Sequence, residues 1–533
     1  MWKCLQNPIR CRTSASRFLA TAVVLATALF HGCAVYAAGQ NTATAHSDQG
    51  LQLAHAGDLT GAESELRSAV ALAPNNPEFL FNLATVLAMD KKLEESASVF
   101  KRALKLDPSN LTARRYLAAN LWQLHEYPEA KANLEIILKH KNDDAPSRLL
   151  LGMVLENMKD YAAAAQMLAS VPEQVKQRPE SIGALAVSYY HVKEVSKARN
   201  TIAMLQNHPA GPRAVLLGVE IADQNADYET AERLLLSAGS YAGRADFEYR
   251  LATVQYHAHK FEQSEQTLLH LISTGNGSAE VFNLLGWCYQ KLGQSEPAVK
   301  ALEQAVNLQP NEESNFLDLE KILLGQNKVG AALVVAKRAA DACPKSPRIF
   351  ITQGELQVRA TQFTNAVASY RRAVELDSHD ADAGLGLADS EYAADLRKES
   401  YRDFELGLRK FPRDPRFPLH YALALLKEDE SGGATSERRA TELLKSAVSL
   451  DPSSADAHYH LGELALKDER VADALLEYRK AAKLDPNNPK IHFGLSRVYR
   501  RLGRTEEASR EASLFEKLQE AKPGAPAAPP QSQ

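Results

Sequence analysis

Histidines come in two close pairs, His257 with His259 and His458 with His460, and such pairs could hold a metal or move a proton. Two ligands on one helix need a spacing of three or four residues to share a face. A spacing of two sets the rings roughly 200° apart. The pairs are therefore expected as solvated or groove-facing polar residues, and no metal site is predicted. Carboxylates are abundant, as at Glu94-Glu95, Glu312-Glu313 and Glu506-Glu507, but no spacing fixes two of them in a pocket, and these are expected on solvated faces or turns. There is no GxxxxGK loop to cradle a phosphate and no GxGxxG between a strand and a helix. No cofactor is implied, and the lack of any catalytic constellation points away from an enzyme.

A different set of residues carries the chemistry of an interface. Phe81, Trp122, Tyr190, His191, Tyr249, Tyr256, His257, Trp287, Tyr392, Tyr459 and Phe493 fall at a few fixed places in a repeating frame. Rings with a polar edge bury much area with few rotors to freeze. For each ring the alternative is packing between neighbouring helices, since aromatics are often partly buried without function. A smaller set is basic: Arg497, Arg500 and Arg501 beside Lys490. It is expected either to attract an acidic partner segment or to be the solvated face of a terminal repeat.

The frame that must position these residues is clearest from Ala279 to Glu312. Counting Ala279 as position 1, Phe282, Leu285, Gly286 and Tyr289 fall at positions 4, 7, 8 and 11, one stripe of a helix. Gly293 turns the chain. Ala298, Leu302 and Ala305 at positions 20, 24 and 27 make one stripe of a second helix, which Pro310 ends. Position 8 then recurs as Gly50, Ala84, Ala118, Gly152, Ala186, Gly218, Ala252, Gly286, Glu320, Gly354, Ala388, Ala422, Gly462 and Ser496. Twelve of these fourteen are Gly or Ala, so two helices are expected to approach closely there in nearly every unit. The step is 34 residues throughout, except 32 from Ala186 to Gly218 and 40 from Ala422 to Gly462.

A period of 34 with this pattern resembles the tetratricopeptide-repeat (TPR) family from about Asn41 to about Glu520. The resemblance implies an all-α fold, a TPR α-solenoid in which about fourteen 34-residue helical hairpins form a right-handed superhelix. It also implies that positions 2, 5, 9, 12 and 13 of each first helix line a concave groove where a protein or peptide lies. Most of the aromatic set occupies those positions. Two ligand modes of the family do not match. Asn82 and Asn283 lack basic partners in register for a carboxylate grip, and Tyr116, Leu150 and Leu284 stand where an asparagine ladder would run.

Around the array, residues 1–37 read as a secretory signal. Lys3, Arg10, Arg12 and Arg17 precede an apolar run from Phe18 to Phe30, with a cut expected after Ala37. Retention of Phe18 to Ala38 as an anchor and lipidation at Cys33 are the other readings, and only a retained segment would bring a membrane contact. All three place the body outside the cytoplasm. A polar lead (38–47) precedes the array (43–520), and a Pro/Ala-rich tail (521–533) that cannot form a core follows it. A six-residue insertion within Lys427 to Glu437 is expected as a widened, solvated turn in the twelfth unit. The formal charge of −4 includes four leader cations, so the chain beyond residue 37 carries −8, which gives no support to a nucleic-acid partner. Only Cys288 and Cys343 lie beyond the leader, and both are expected unpaired.

The sequence thus predicts a non-catalytic interaction scaffold of a bacterial-type envelope or periplasm. An adapter of envelope assembly or polysaccharide secretion is one alternative, and an enzyme with a cryptic groove site is another.

Overall fold

Most first helices start where a polar side chain can satisfy their free amides, although those at Pro179, Pro212 and Ala245 start without such a cap. The Asn76 side chain accepts from the Glu78 and Phe79 amides, Asp144 caps through Ser147, and Ser278 through Val281. Nearly every first helix ends where the chain turns left-handed. Position 15 has φ of 61° at Lys91, 62° at His125, 74° at Gly293 and 57° at Thr361. The next amide then reaches back to position 11, as from Lys92 to the Leu87 carbonyl at 2.9 Å and from Glu126 to that of Leu121 at 2.8 Å. This is the six-to-one closure that satisfies orphan carbonyls at a helix end. Repetition of that start and stop gives fourteen helical hairpins, from residues 42–55 with Leu59–Leu72 to Pro489–Arg501 with Thr505–Glu520.

The computed structural model describes residues 42–241, 243–427 and 429–520, and no strand occurs among them. Residues 1–41, where a signal and the start of the polar lead are expected, and residues 521–533, where a tail is expected, lie outside the described residues. No helix among the described residues is long and apolar enough to cross a membrane.

Within a hairpin the two helices meet at position 8. A Cβ built on Gly50, Gly152 or Gly286 would stand 2.7, 2.5 or 2.7 Å from Cγ of Leu66, Leu168 or Leu302, each at position 24 of the same hairpin. Where position 24 is a tyrosine, two glycines flank it. Gly354 and Gly386 close on Tyr370, and Gly462 and Gly494 close on Tyr478. A serine at position 20 adds a buried tie, donating to the position-8 carbonyl from Ser96, Ser264 and Ser400 at 2.6, 2.7 and 2.8 Å.

The chain divides into two compact units, Met1–Thr267 and Leu268–Gln533, and the division falls within the helix Phe261–Ser273. In the first unit, Leu80, Phe100, Leu121 and Leu134 are fully buried members of one apolar cluster. Its fourth, fifth and sixth hairpins have second helices of only nine residues, Tyr161–Ala169, Val195–Ala203 and Tyr228–Leu236. A short extra turn, Pro172–Val175, follows the first of them, opening on a proline that cannot continue the helix before it. The spacing signals only one shortening, in the 32-residue step from Ala186 to Gly218.

In the second unit, Leu302, Phe316, Leu319, Phe404 and Phe417 are buried. Cys288 is fully buried and Cys343 half-exposed, and neither forms a disulfide. One expectation is corrected here. The segment from 427 to 437 is not a widened turn: the first helix Arg416–Lys427 is followed at Asp429 by a second helix that runs to Leu450. The added residues lengthen that helix at its start. Elongating a formed helix needs no new nucleus and adds one hydrogen bond per residue fixed, so the helix extends through the two glycines despite a cost of about 1 kcal/mol for each. Ala440, Leu443, Leu444 and Ala447, all buried, anchor the rest of it.

Candidate functional site

Positions 4, 7, 8 and 11 of the first helices are largely taken up by packing within and between hairpins, which leaves the neighbouring stripe to meet a partner. In the first unit that stripe is mostly partnered within the protein. Phe81 is half-buried, edge-on to Phe100 at 5.8 Å and to Tyr116 at 5.9 Å. Trp122 is half-buried against two apolar clusters. His191 stacks on Tyr161 at 3.8 Å, and Tyr256 meets Phe261 edge-on at 5.4 Å. His257 sits 2.8 Å from Asp223, at the equivalent place one hairpin earlier. Tyr249 is half-buried, and its carbonyl accepts from Thr253.

Tyr190 is a correction. It is 6% exposed and not a groove residue. Its hydroxyl donates to Asp227 at 2.8 Å, and Arg199 holds the same carboxylate with two bonds of 2.8 Å. Asp227 in turn caps the helix Tyr228–Leu236. Burial works against ionisation of Asp227, but Arg199, Tyr190 and Thr230 outweigh it and hold its carboxyl below the usual range. Burial, and then the bond to Asp227, pushes the Tyr190 phenol up. Tyr190 and Tyr256 share a position in the frame but not a role.

In the second unit the stripe carries rings beside cations. Lys321 lies 5.2 Å from the ring of Trp287, Arg397 lies 3.8 Å from that of Tyr392, and Arg497 lies 5.9 Å from that of Phe493. Trp287 and Tyr392 are half-buried, and Phe493 is 44% exposed. Tyr459 is half-buried, its hydroxyl donating to Glu463 at 2.8 Å. Near Trp287, Asn283 donates to Asn315 at 3.0 Å and Asp318 at 2.9 Å.

The basic set divides. Lys490, Arg497 and Arg501 line a pocket of about 700 Å³ together with residues of hairpins twelve and thirteen. Arg500 stands apart and reaches Ser496 at 3.5 Å. Of the pocket's other lining residues, His460 is among those expected as solvated or groove-facing, whereas Leu423, Leu426, Glu463 and Lys467 were missed in the sequence. The insertion shifts the frame by six residues between Ala422 and Gly462, and leucines at positions 9 and 12 carry no chemical flag of their own.

The histidine pairs separate as the i+2 spacing requires, yet His458 is neither solvated nor groove-facing. It is buried, bonded to Glu477 at 2.5 Å and to the Pro452 carbonyl at 3.3 Å. His492 repeats this with Glu511 at 2.6 Å, and the more exposed His46 makes the acid contact alone, with Glu65 at 2.6 Å. Each pair is nineteen residues apart, linking position 4 of a first helix to position 23 of its second. That spacing is the signal that could have found them. Among the described residues no group of three or more His, Cys, Asp or Glu could hold a metal ion.

Two carboxyls in the second unit are buried at core positions. Glu320, at position 8, is 3% exposed, and burial pushes its carboxyl up to about 7 against a counteracting bond from Thr352. Glu391, at position 11, is fully buried and likewise raised to about 7 by burial, although Arg371 lies 2.8 Å away.

Profiles described as tetratricopeptide repeat match residues 35–110, 351–415 and 421–489, residues 87–154 and 465–528, and residues 279–312. Cellulose synthase operon protein C of Pseudomonas fluorescens is 22% identical over 493 residues, 88% of this chain and 36% of that protein. Human protein O-mannosyl-transferase TMTC3 is 25% identical over 201 residues, 37% of this chain. The matched stretch spans about a fifth of the length of the human and mouse TMTC3 proteins, 21% and 19%. Among solved structures, yeast Tom70 aligns over 90% of this chain and 92% of its own, at 16% identity and a TM-score of 0.36.

Proposed function

The chain belongs to the tetratricopeptide-repeat family, and from that premise we propose that it is a non-catalytic interaction scaffold of the bacterial cell envelope or periplasm. It binds a partner protein or peptide along the first-helix stripe. The observation that carries the reading is the ring-and-cation pattern of the second unit, at Trp287, Tyr392 and Phe493. Stacked hairpins occupy their apolar residues in the core, and the remaining stripe is a preformed surface that loses little ordering entropy on binding. The signal-like order of residues 1–37 supports export.

Photo-crosslinking in intact cells tests this. A crosslinker at Trp287 should capture a defined envelope protein, whereas one at the exposed Lys300 on the second helix of the same hairpin should not. Equal capture at both positions, or none at either, would remove the reading. N-terminal sequencing should find a mature chain starting at Ala38. An intact Met1 on membrane-bound protein would make the segment an anchor.

A narrower reading is an adapter of envelope assembly or polysaccharide secretion. The alignment with cellulose synthase operon protein C along 88% of the chain favours it. Unchanged exopolysaccharide output after deletion of the gene would count against it.

A further inference from the structure

We infer that the first helices of hairpins twelve to fourteen form a binding site for an acidic, leucine-bearing segment of a partner protein. This deepens the scaffold reading and rests on it.

The pocket coincides with a local change in the stack. Hairpin twelve carries the insertion, which lengthens its second helix to Asp429–Leu450, 22 residues against 14 for Val471–Leu484 in the next hairpin. Among the described residues, the first helices of hairpins twelve and thirteen touch least of all neighbouring first helices in this unit. The space of about 700 Å³ opens there, within the size range of ordinary ligand pockets.

Its walls are of two kinds. Leu423 and Leu426, half-buried, offer an aliphatic surface. Lys490, Arg497 and Arg501 supply charge, and among the described residues none of the three has a carboxylate within 4.0 Å. Elsewhere in the unit exposed cations do find acids on the adjoining hairpin, as Arg416 finds Asp382 at 2.6 Å and Arg439 finds Glu405 at 2.9 Å.

The one acid of the pocket is already engaged. Glu463 accepts from Tyr459 at 2.8 Å and lies 3.5 Å from His460. Burial opposes its ionisation, but His460, Tyr459 and the field of Arg497 hold it below the usual carboxylate range. Lys467 is likewise paired, with Glu437 of the lengthened helix. The uncompensated charge is therefore positive and stands beside leucines. Carboxylates satisfy the cations, and apolar side chains are needed to cover the leucines. A peptide segment offers both, whereas the backbone of an anionic glycan or a nucleic acid offers no aliphatic group.

The test uses the chain from residue 38 and a fluorescein-labelled peptide of alternating Leu and Glu, followed by anisotropy. Lys490 and Arg497 are exposed, so Lys490→Glu with Arg497→Glu should leave the helical circular dichroism unchanged. That pair should weaken binding about tenfold or more. Replacing Glu by Gln in the peptide should abolish binding, and replacing Leu by Ser should weaken it. If the charge reversal disturbs folding, Lys490→Ala with Arg497→Ala should still weaken binding. Undiminished binding in either folded variant overturns the proposal. Displacement by polygalacturonate as readily as by the Leu-Glu peptide, with no effect of the Leu→Ser change, overturns it in favour of a general polyanion site. The scaffold reading is judged separately. Capture at Trp287 that persists in the Lys490→Glu, Arg497→Glu variant keeps that reading even where the peptide fails to bind.

Discussion

The hydroxyl of Tyr190 and the carboxylate of Asp227 meet at 2.8 Å and tie the end of one first helix to the cap of a helix in the next hairpin. The bond makes Tyr190 a structural residue. Tyr190→Phe should therefore lower unfolding stability by about 1–3 kcal/mol, the range for removing a buried hydrogen bond to a charged group. Urea titration measures this, and crosslinking at Trp287 in the same variant should be unchanged. Loss of partner capture with full stability would return Tyr190 to the interface.

Gly286 faces Leu302 with no room for a side chain, since a Cβ there would stand 2.7 Å from Cγ. Gly286→Leu should cost about 1–3 kcal/mol by overpacking. In a stack whose hairpins contact mainly their neighbours the damage should stay local. Hydrogen exchange should show faster exchange in hairpins eight and nine and unchanged protection in hairpins twelve to fourteen. Uniform loss would contradict a one-dimensional array.

Much of this was legible because spacing alone reports packing. The small residue at position 8 is small in sequence for the reason seen in space, that a leucine or a ring from position 24 lies against it. The roles of the rings were not legible. Tyr190 and Tyr256 share position 12, and only the fold brings Asp227 to one of them. The histidine pairs suffered the same way: His458 reads as polar, and its acid arrives from another helix nineteen residues on. At hairpin twelve, glycines and charges read as a turn, because sequence reasoning weighs local propensity and does not see the anchored helix that propagates through them.

Glu320 makes the second unit sensitive to pH. Its folded-state pKa of about 7 lies above the ordinary 4.5, so the native state favours the protonated form. The stability this group contributes is fully present below about pH 4.5 and is lost as pH rises through 7. Glu320→Gln should remove that loss and raise stability at pH 8 by about 3 kcal/mol. At pH 4 it should change little. Denaturation midpoints at the two pH values provide the check, and an equal effect at both would refute the assignment.

Thr361 occupies a left-handed turn at φ 57°, which a β-branched residue adopts at a cost. Thr361→Gly removes the Cβ clash and adds backbone entropy to the unfolded chain. The net gain should reach about 1 kcal/mol, seen as a higher melting temperature. A lower one would mean that the Thr361 side chain contributes more than its backbone costs.

Cys288 and Cys343 give the protein a clock of its own. One thiol is sealed in hairpin eight and the other is partly open in hairpin nine, and a chain starting at residue 38 has no further cysteine. A thiol reagent can modify Cys343 from the native surface, but it can reach Cys288 only while hairpin eight is open. The ratio of the two labelling rates therefore reads the breathing of a single repeat without any engineered probe, and a partner seated over Trp287 on the same helix would register as a slowing of the inner thiol alone.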